Sequence, residues 1–339
     1  MPLPDWARAH APVPPDGTSV PPDGSAPLFS ARIREQPADF KVTEELGYEF
    51  TNDGEHDFLW IEKTGANTEW VSRQLARFAD VPAKDVGYAG LKDRHAVTRQ
   101  WFSVPRWNSP DWRLLDVEGV QILDVQRHQK KLRRGAHRAN HFRIVLRGDG
   151  IVEQASVLEQ RVQVIREHGV PNYFGEQRFG RAGNNLELAG VFAGGKRLPR
   201  HKRSIAISTI RSFLFNEYLS ARVTDRTWAT LSAGDKANLD GTGSVFDVDE
   251  VDDELIRRCK AMDIHPVGEL VGDGSTVGPD DWLAALAKAR VAPGTRSLRL
   301  RVADLELAIA DDVVVLSFQL VRGAFATSVL REIVETSTS

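Results

Sequence analysis

The stretch GYAGLKDRHAVTRQWFSV, residues 87–104, sets one acid, Asp93, between Lys92 and Arg94, on a turn entered through two glycines and left through an alternating strand. Along an extended chain, successive side chains point to opposite faces. Val97, Arg99, Trp101 and Ser103 therefore share one side, and Thr98, Gln100, Phe102 and Val104 the other. Neither row is wholly apolar, which suits a strand at the rim of a cleft. An opposite charge within a few ångströms favours the ionised form of a carboxylate. Lys92 and Arg94, folded back, are thus expected to hold Asp93 as an anion able to attack an electrophile. Taken alone, KDR reads as a simple charged turn.

Working outward, ADFKVTEEL (38–46) and HDFLWIEKTG (56–65) read as strands, the second closed by Gly65. Asn67 or Thr68 can cap a helix whose apolar residues Trp70, Val71, Leu75 and Phe78 recur at helical spacing, with Pro82 beyond its end. Residues 151–169, IVEQASVLEQRVQVIREHG, form an amphipathic helix that ends at Gly169, where a left-handed C-terminal cap favours glycine. SIAISTIRSFLFNEYLSARV (204–223) is another helix. From 224 to 297 the composition shifts to Asp-, Gly- and Ser-rich turns between modest helices, which marks a smaller inserted module. Residues 297–323 return to strand pattern, and FATSVLREIVE (325–335) reads as a last helix. The first 27 residues hold 8 of the 17 prolines and a tandem, VPPDGTS then VPPDGSA, and read as a disordered extension outside the chemistry.

With 339 residues, two domains are expected, and 41% hydrophobic with 27% charged residues is ordinary for a soluble globular chain. The net charge of −3 does not announce a polyanion binder, so any such surface must be local. Two stretches supply it. Residues 126–147 carry eight lysines and arginines, three histidines and no acid, and KRLPRHKR (196–203) is also acid-free. Residues 235–254 form the opposite pole, with eight acids against one lysine. Such asymmetry steers a polyanion toward one face. The single cysteine, Cys259, excludes an intrachain disulfide framework and a multi-cysteine zinc site, and reads as a small buried hydrophobe. No stretch is apolar enough to span a bilayer and the start lacks a signal-peptide pattern, so the expected location is cytoplasmic. A monomer is the default.

Several chemistries fail on spacing. Asp93 and His95 make only two ligands of a metal site, with no matching histidine pair elsewhere, and His95 is expected to hydrogen-bond the turn. The nucleophile elbow G-x-S-x-G of a serine hydrolase is absent. The glycines of 224–297 lack the strand-turn-helix setting of a phosphate loop. No second acid is singled out to pair with Asp93 for glycoside cleavage. The segment VPNYFGEQRFGRAGNN (170–185) is more informative. It puts Tyr173, Phe174 and Phe179 among glycines, amides and two arginines, a composition able to stack a base and bond its edge.

Four separated motifs follow one another in the chain: PADFKVTEELG (37–47), GLKDRHAVTRQ (90–100), PNYFGEQRFG (171–180) and GAFATSVLRE (323–332). In these, over residues 30–335, the sequence resembles the TruD family of tRNA pseudouridine synthases. The resemblance implies an α/β fold of the α+β type: a pseudouridine synthase core with a mixed, largely antiparallel sheet flanked by helices, carrying an inserted α/β domain. It implies a catalytic domain of residues 28–197 and 300–339, an insertion at 198–299, and a leader of 1–27 without a counterpart. By the same resemblance Asp93 is the nucleophile, Phe40, Asn172 and Phe325 contact substrate, and Phe174 packs on the target base. The implied partner is tRNA and the implied target its uridine 13, with no metal and no cofactor, since an isomerisation oxidises nothing. A base in a stack must be flipped out at a cost of a few kcal/mol, which aromatic stacking of about 1–3 kcal/mol per base can offset. The competing expectation is a non-catalytic RNA-binding or RNA-chaperone protein that uses the same surface, with a metal-dependent RNA hydrolase third.

Overall fold

The structure is a computed structural model that describes residues 29–180 and 183–338. The proline-rich leader, and Arg181 of the aromatic loop, lie outside the described residues. The chain packs into two units. One comprises residues 29–157, 303–323 and 336–339, the other residues 158–302 and 324–335.

In chain order the first unit contributes β1 (Ser30–Ile33), β2 (Phe40–Leu46), β3 (His56–Thr64), α1 (Thr68–Phe78), β4 (Gly87–Tyr88), β5 (Val97–Pro105), β6 (Val120–His128) and β7 (His137–Leu146). The chain continues through α2 (Ala155–His168), β8 (Val170–Pro171), α3 (Asn184–Ala193), α4 (Arg200–Thr224), β9 (Lys236–Leu239), β10 (Val245–Asp247) and α5 (Asp253–Lys260). Then come β11 (Ile264–Leu270), α6 (Asp280–Lys288), β12 (Gly294–Ser297), β13 (Arg299–Leu300), β14 (Ala303–Ala310), β15 (Val313–Val321), α7 (Ala326–Leu330) and β16 (Glu335–Thr338). The expected closing helix is cut to five residues. The β-branched run after it favours an extended chain, and β16 takes it up.

The first unit is built on an eight-stranded sheet in the order β14-β15-β7-β2-β5-β3-β6, with β4 added on β5. All its pairings are antiparallel except one: β2 runs parallel to β5, with Lys41 opposite Val97 and Thr43 opposite Arg99. The mixed, largely antiparallel sheet of an α+β fold is therefore present. The parallel pair places the entry ends of β2 and β5 side by side, so Phe40 lies beside the turn that leads into Val97. Helix α1 covers one face, where Leu59, Ile61, Val71, Leu75, Phe102 and Val104 form a core. Of the two rows of β5, Thr98, Gln100, Phe102 and Val104 are fully buried, while Val97, Arg99 and Trp101 keep exposure. Buried polar side chains favour hydrogen-bond partners: Gln100 finds them and becomes one anchor of the Asp93 turn, whereas among the described residues the Thr98 hydroxyl has none.

The second unit packs α3, α4 and α6 against a four-stranded antiparallel sheet, β10-β9-β11-β12. Helix α4 is its spine. It buries Phe213, Phe215 and Leu219 in one core cluster and Ile210 in another, with Asn216 also buried. Helix α2 ends at Gly169, whose φ of +73° is the left-handed cap the pattern calls for, and an added Cβ there would lie 2.6 Å from the Leu300 carbonyl oxygen.

Candidate functional site

Asp93 sits in the loop between β4 and β5, and its side chain keeps 33% of its surface open. One carboxylate oxygen, Oδ1, accepts the main-chain N–H of His95 at 2.9 Å, closing a tight local turn. The other, Oδ2, lies 3.0 Å from Nη2 of Arg34. Each oxygen retains a free lone pair, since a carboxylate can accept about four hydrogen bonds. The group is held but not used up.

The cation beside Asp93 is thus Arg34 rather than Lys92 or Arg94. Lys92 turns inward and pairs with Glu44 at 2.7 Å, and Arg94 donates from Nε to the Gly65 carbonyl at 2.9 Å. Helical and strand patterns do not report which loop cation folds back, and the buried Glu44 carboxylate outcompetes Asp93 for Lys92. It is also the main chain of His95, not its exposed ring, that bonds the turn.

Beneath the carboxylate the loop is pinned from below. Lys63, almost fully buried, donates from Nζ to the main-chain oxygens of Ala66 at 2.8 Å and Asp93 at 3.0 Å. Burial pulls its ammonium down to about 8, against the favourable field of Asp93. Thr68 opens α1 but does not cap it. Its Oγ1 accepts the Lys92 main-chain N–H at 3.0 Å and donates to Gln100 Oε1 at 2.9 Å, while Gln100 Nε2 donates to the Gly90 carbonyl at 3.1 Å. Glu44 accepts the Trp101 main-chain N–H on its second oxygen at 3.1 Å. Lys63, Thr68, Gln100 and Glu44 are thus committed to the base of the loop, while the Asp93 carboxylate keeps open surface.

Phe40 belongs to the same cluster, though not as an open platform. Its ring is 3% exposed, and the Arg34 guanidinium covers it at 4.2 Å. The residue before it, Asp39, is fixed by a two-pronged bond from Arg147, Nε to Oδ2 at 3.1 Å and Nη2 to Oδ1 at 2.9 Å. Arg34 joins Phe40 to Asp93, a role no sequence spacing signals, because it comes from a connecting segment with a positive φ of 63°.

Asn172, Phe174 and Phe325 belong to the second unit and form a cluster there. Asn172 donates from Nδ2 to the Ser297 carbonyl at 2.9 Å and accepts on Oδ1 from Arg296 Nη2 at 2.5 Å. One N–H and one lone pair of that amide stay free. The Phe174 ring lies under Arg296 at 4.1 Å and near Arg178 at 5.4 Å, and Phe325 is 5.9 Å from Arg178. Arg178 donates to Ser208 Oγ at 2.9 Å and borders a cavity of about 300 Å³ with Phe325, Gln177, Asn185 and Ser204. Burial lowers both guanidinium groups, and for Arg296 the charge of Arg178 adds to the effect. Both remain cations at neutral pH.

The sequence missed Asn216. Fully buried on α4, it accepts the Phe174 N–H on Oδ1 and returns Nδ2 to the Phe174 carbonyl, both at 2.9 Å. This clamp fixes the main chain that carries the ring. The expectation that Tyr173, Phe174 and Phe179 form an open stacking surface is corrected: they are 2%, 9% and 0% exposed and belong to one core cluster with Phe215 and Trp228. A glycine-rich loop that passes under a long apolar helix is enclosed by it, whatever its local composition.

The basic stretch 126–147 spans the end of edge strand β6, a turn, and β7. Lys131 is tied to the Lys84 carbonyl at 2.5 Å, and Arg134 lies 3.8 Å over the Tyr88 ring. The acidic pole is partly structural: Asp235 pairs with Arg222 at 3.0 Å, Asp240 with Arg301 at 3.2 Å, and Asp252 caps α5. Cys259 is buried and its thiol is pushed up by that burial. Among the described residues no group of three or more His, Cys, Asp or Glu could hold a metal ion. No helix among them is long and apolar enough to cross a membrane.

The chain is similar to known proteins in sequence and in fold. Residues 25–193 match the family described as tRNA pseudouridine synthase D (TruD). The chain is 46% identical over 324 residues to tRNA pseudouridine synthase D of Methylococcus capsulatus, covering 90% of this chain and 91% of that one. It is 43% identical over 327 residues to tRNA pseudouridine synthase D of Aeromonas hydrophila, covering 91% and 92%. A crystal structure of a Methanosarcina mazei chain assigned as tRNA pseudouridine synthase D superposes with a TM-score of 0.70 at 18% identity, over 91% of this chain and 94% of that one, which reflects a common fold. On identity of this extent and coverage, the chain belongs to the tRNA pseudouridine synthase D (TruD) family.

Proposed function

We propose that the chain isomerises uridine 13 of tRNA to pseudouridine, with Asp93 as the nucleophile. As a member of its family it is a tRNA pseudouridine synthase, an isomerase. The observation that carries the assignment of Asp93 is its environment: a carboxylate with open surface and free lone pairs, paired with Arg34, on a loop anchored from below by Lys63, Thr68 and Gln100.

The reaction breaks the bond between N1 of uracil and C1′ of ribose, turns the ring and joins C5 to C1′; the C5 proton leaves and the freed N1 takes one up, so the product is an isomer of the substrate. A carboxylate oxygen can begin this at C1′ of the sugar or at C6 of the ring, and either route makes one covalent bond to Asp93 that is later broken. Arg34 balances the carboxylate charge and fixes its direction without protonating it. On this reading the substrate contacts of the second unit are Phe174, which packs on the extruded base, Asn172, which bonds the uracil edge with its free N–H and lone pair, and Phe325; in the first unit the contact is Phe40. Residues 28–197 with 300–339 are the catalytic domain and 198–299 an insertion, a division by descent that differs from the two packing units.

The test is to incubate the pure protein with an unmodified tRNA transcript and map pseudouridine by chemical probing. The expected product is pseudouridine at position 13, lost in Asp93→Asn while tRNA binding stays within a few-fold. Undiminished product from that variant would refute the role of Asp93, and product at another uridine would refute the position.

A further inference from the structure

We propose that a basic cavity in the second unit, between the end of α3, the start of α4 and the end of α6, binds the phosphodiester backbone of RNA away from the target nucleotide. The proposal rests on the reading that the substrate is RNA, and adds a contact surface to it.

The cavity measures about 680 Å³ and is lined by Lys196, Arg197, Arg200, Arg203 and Lys288, with Asp281 as its one acid. Phe192, Leu198, Ala284 and Ala285 make an apolar floor inside that rim. All five cations are exposed, and among the described residues none of them forms an ion pair. Arg203 reaches only the Ala289 carbonyl, at 3.5 Å. Five cations gathered around one hollow repel each other, and the lining of the cavity offers no counter-charge beyond Asp281.

The arrangement works against local stability. The first turn of α4 is Arg-His-Lys-Arg, with no acid in it and no side-chain cap from Pro199. Positive side chains at this end of a helix oppose its dipole, so folding alone favours acids here. The insertion is not short of acids; they lie in residues 235–254 instead. Cations held where they cost the fold, around a cavity with an apolar floor, point to an external anion with many charges and flat apolar parts. A nucleic-acid strand has both, phosphates for the rim and base or sugar faces for the floor. From Arg200 the helix runs to Ser204 and Ser208, which line the Arg178 and Phe325 cavity, so one element connects the two.

The experiment compares the full-length protein with Lys196→Gln/Arg197→Gln/Arg200→Gln, measuring affinity for an unmodified tRNA transcript over a salt series and pseudouridine formation on the same transcript. The variant should bind roughly tenfold or more weakly near 0.2 M salt, with the slope of log affinity against log salt reduced by about 2 to 3. Its melting temperature should hold or rise, since the helix start loses repulsion. Lys288→Gln alone, on a different helix, should reduce the slope by about 1 and guards against a folding defect in the triple variant. Parent-like affinity and slope in both variants overturn the proposal. So does binding of the parent to vesicles containing an anionic phospholipid, lost in the variant while the tRNA slope is unchanged, which would make the cavity a membrane contact. If the parent forms no pseudouridine yet loses salt-dependent RNA binding through these substitutions, the enzymatic reading falls and the cavity stands. If the parent modifies tRNA and the variants bind like it, the cavity falls and the enzymatic reading stands.

Discussion

Arg34 Nη2 lies 3.0 Å from Asp93 Oδ2 while its guanidinium plane covers Phe40 at 4.2 Å, so one side chain joins a charge and a ring that the sequence separates widely. Lysine cannot reproduce this, because a point charge has no plane to stack and no fixed fork. Arg34→Lys should lower the single-turnover rate of pseudouridine formation by about 100-fold, the scale of an ångström's misplacement of a reacting group. Arg34→Ala should lower it at least as far, with tRNA affinity within a few-fold for both. Parent-like rates in Arg34→Lys would reduce the contact to a simple charge effect.

The Lys92–Glu44 pair at 2.7 Å has side-chain exposures of 6% and 0%. Removing one partner leaves the other charge buried and alone, which costs about 3–5 kcal/mol. Denaturant unfolding of Glu44→Ala should show a loss of that size. Glu44→Leu/Lys92→Met should recover much of it, because an apolar pair of similar volume carries no uncompensated charge.

Lys63 gives the stability a pH signature. Its folded-state ammonium is pulled to about 8, below the ordinary 10.5. Between those values the unfolded chain binds the proton and the folded one does not, so stability rises with pH across that window; below it the penalty is present in full. The neutral amine keeps two N–H groups, enough for the Ala66 and Asp93 carbonyls. Urea unfolding from about pH 7 to about pH 10 should show this rise in the parent and not in Lys63→Met.

Asn216 holds both polar groups of the Phe174 main chain at 2.9 Å. Asn216→Leu leaves an N–H and a carbonyl buried without partners, at about 1–3 kcal/mol each. The melting temperature should fall. Asn216→Asp should restore the N–H partner only and should lose more catalytic rate than RNA affinity. Equal losses in both measurements would mean the clamp serves folding alone.

The sequence by itself determined much that is local. Period-2 and helical patterns located β2, β3, β5, α1, α2 and α4, and glycines marked the positive-φ ends at Gly65 and Gly169. The four motifs determined the family, and the lone acid of KDR determined the candidate nucleophile. These signals survive in sequence because side-chain period and cap conformation are set by neighbours along the chain. Only tertiary structure decided that Arg34, and not Lys92 or Arg94, accompanies Asp93. It alone decided that Thr68 anchors a loop instead of capping a helix, and that Tyr173 and Phe179 are core. The reason is the single parallel pairing of β2 with β5 and the passage of α4 over the aromatic loop. Both bring together groups remote in the chain, and which remote groups meet depends on competition among buried charges and rings for partners, something no local period encodes.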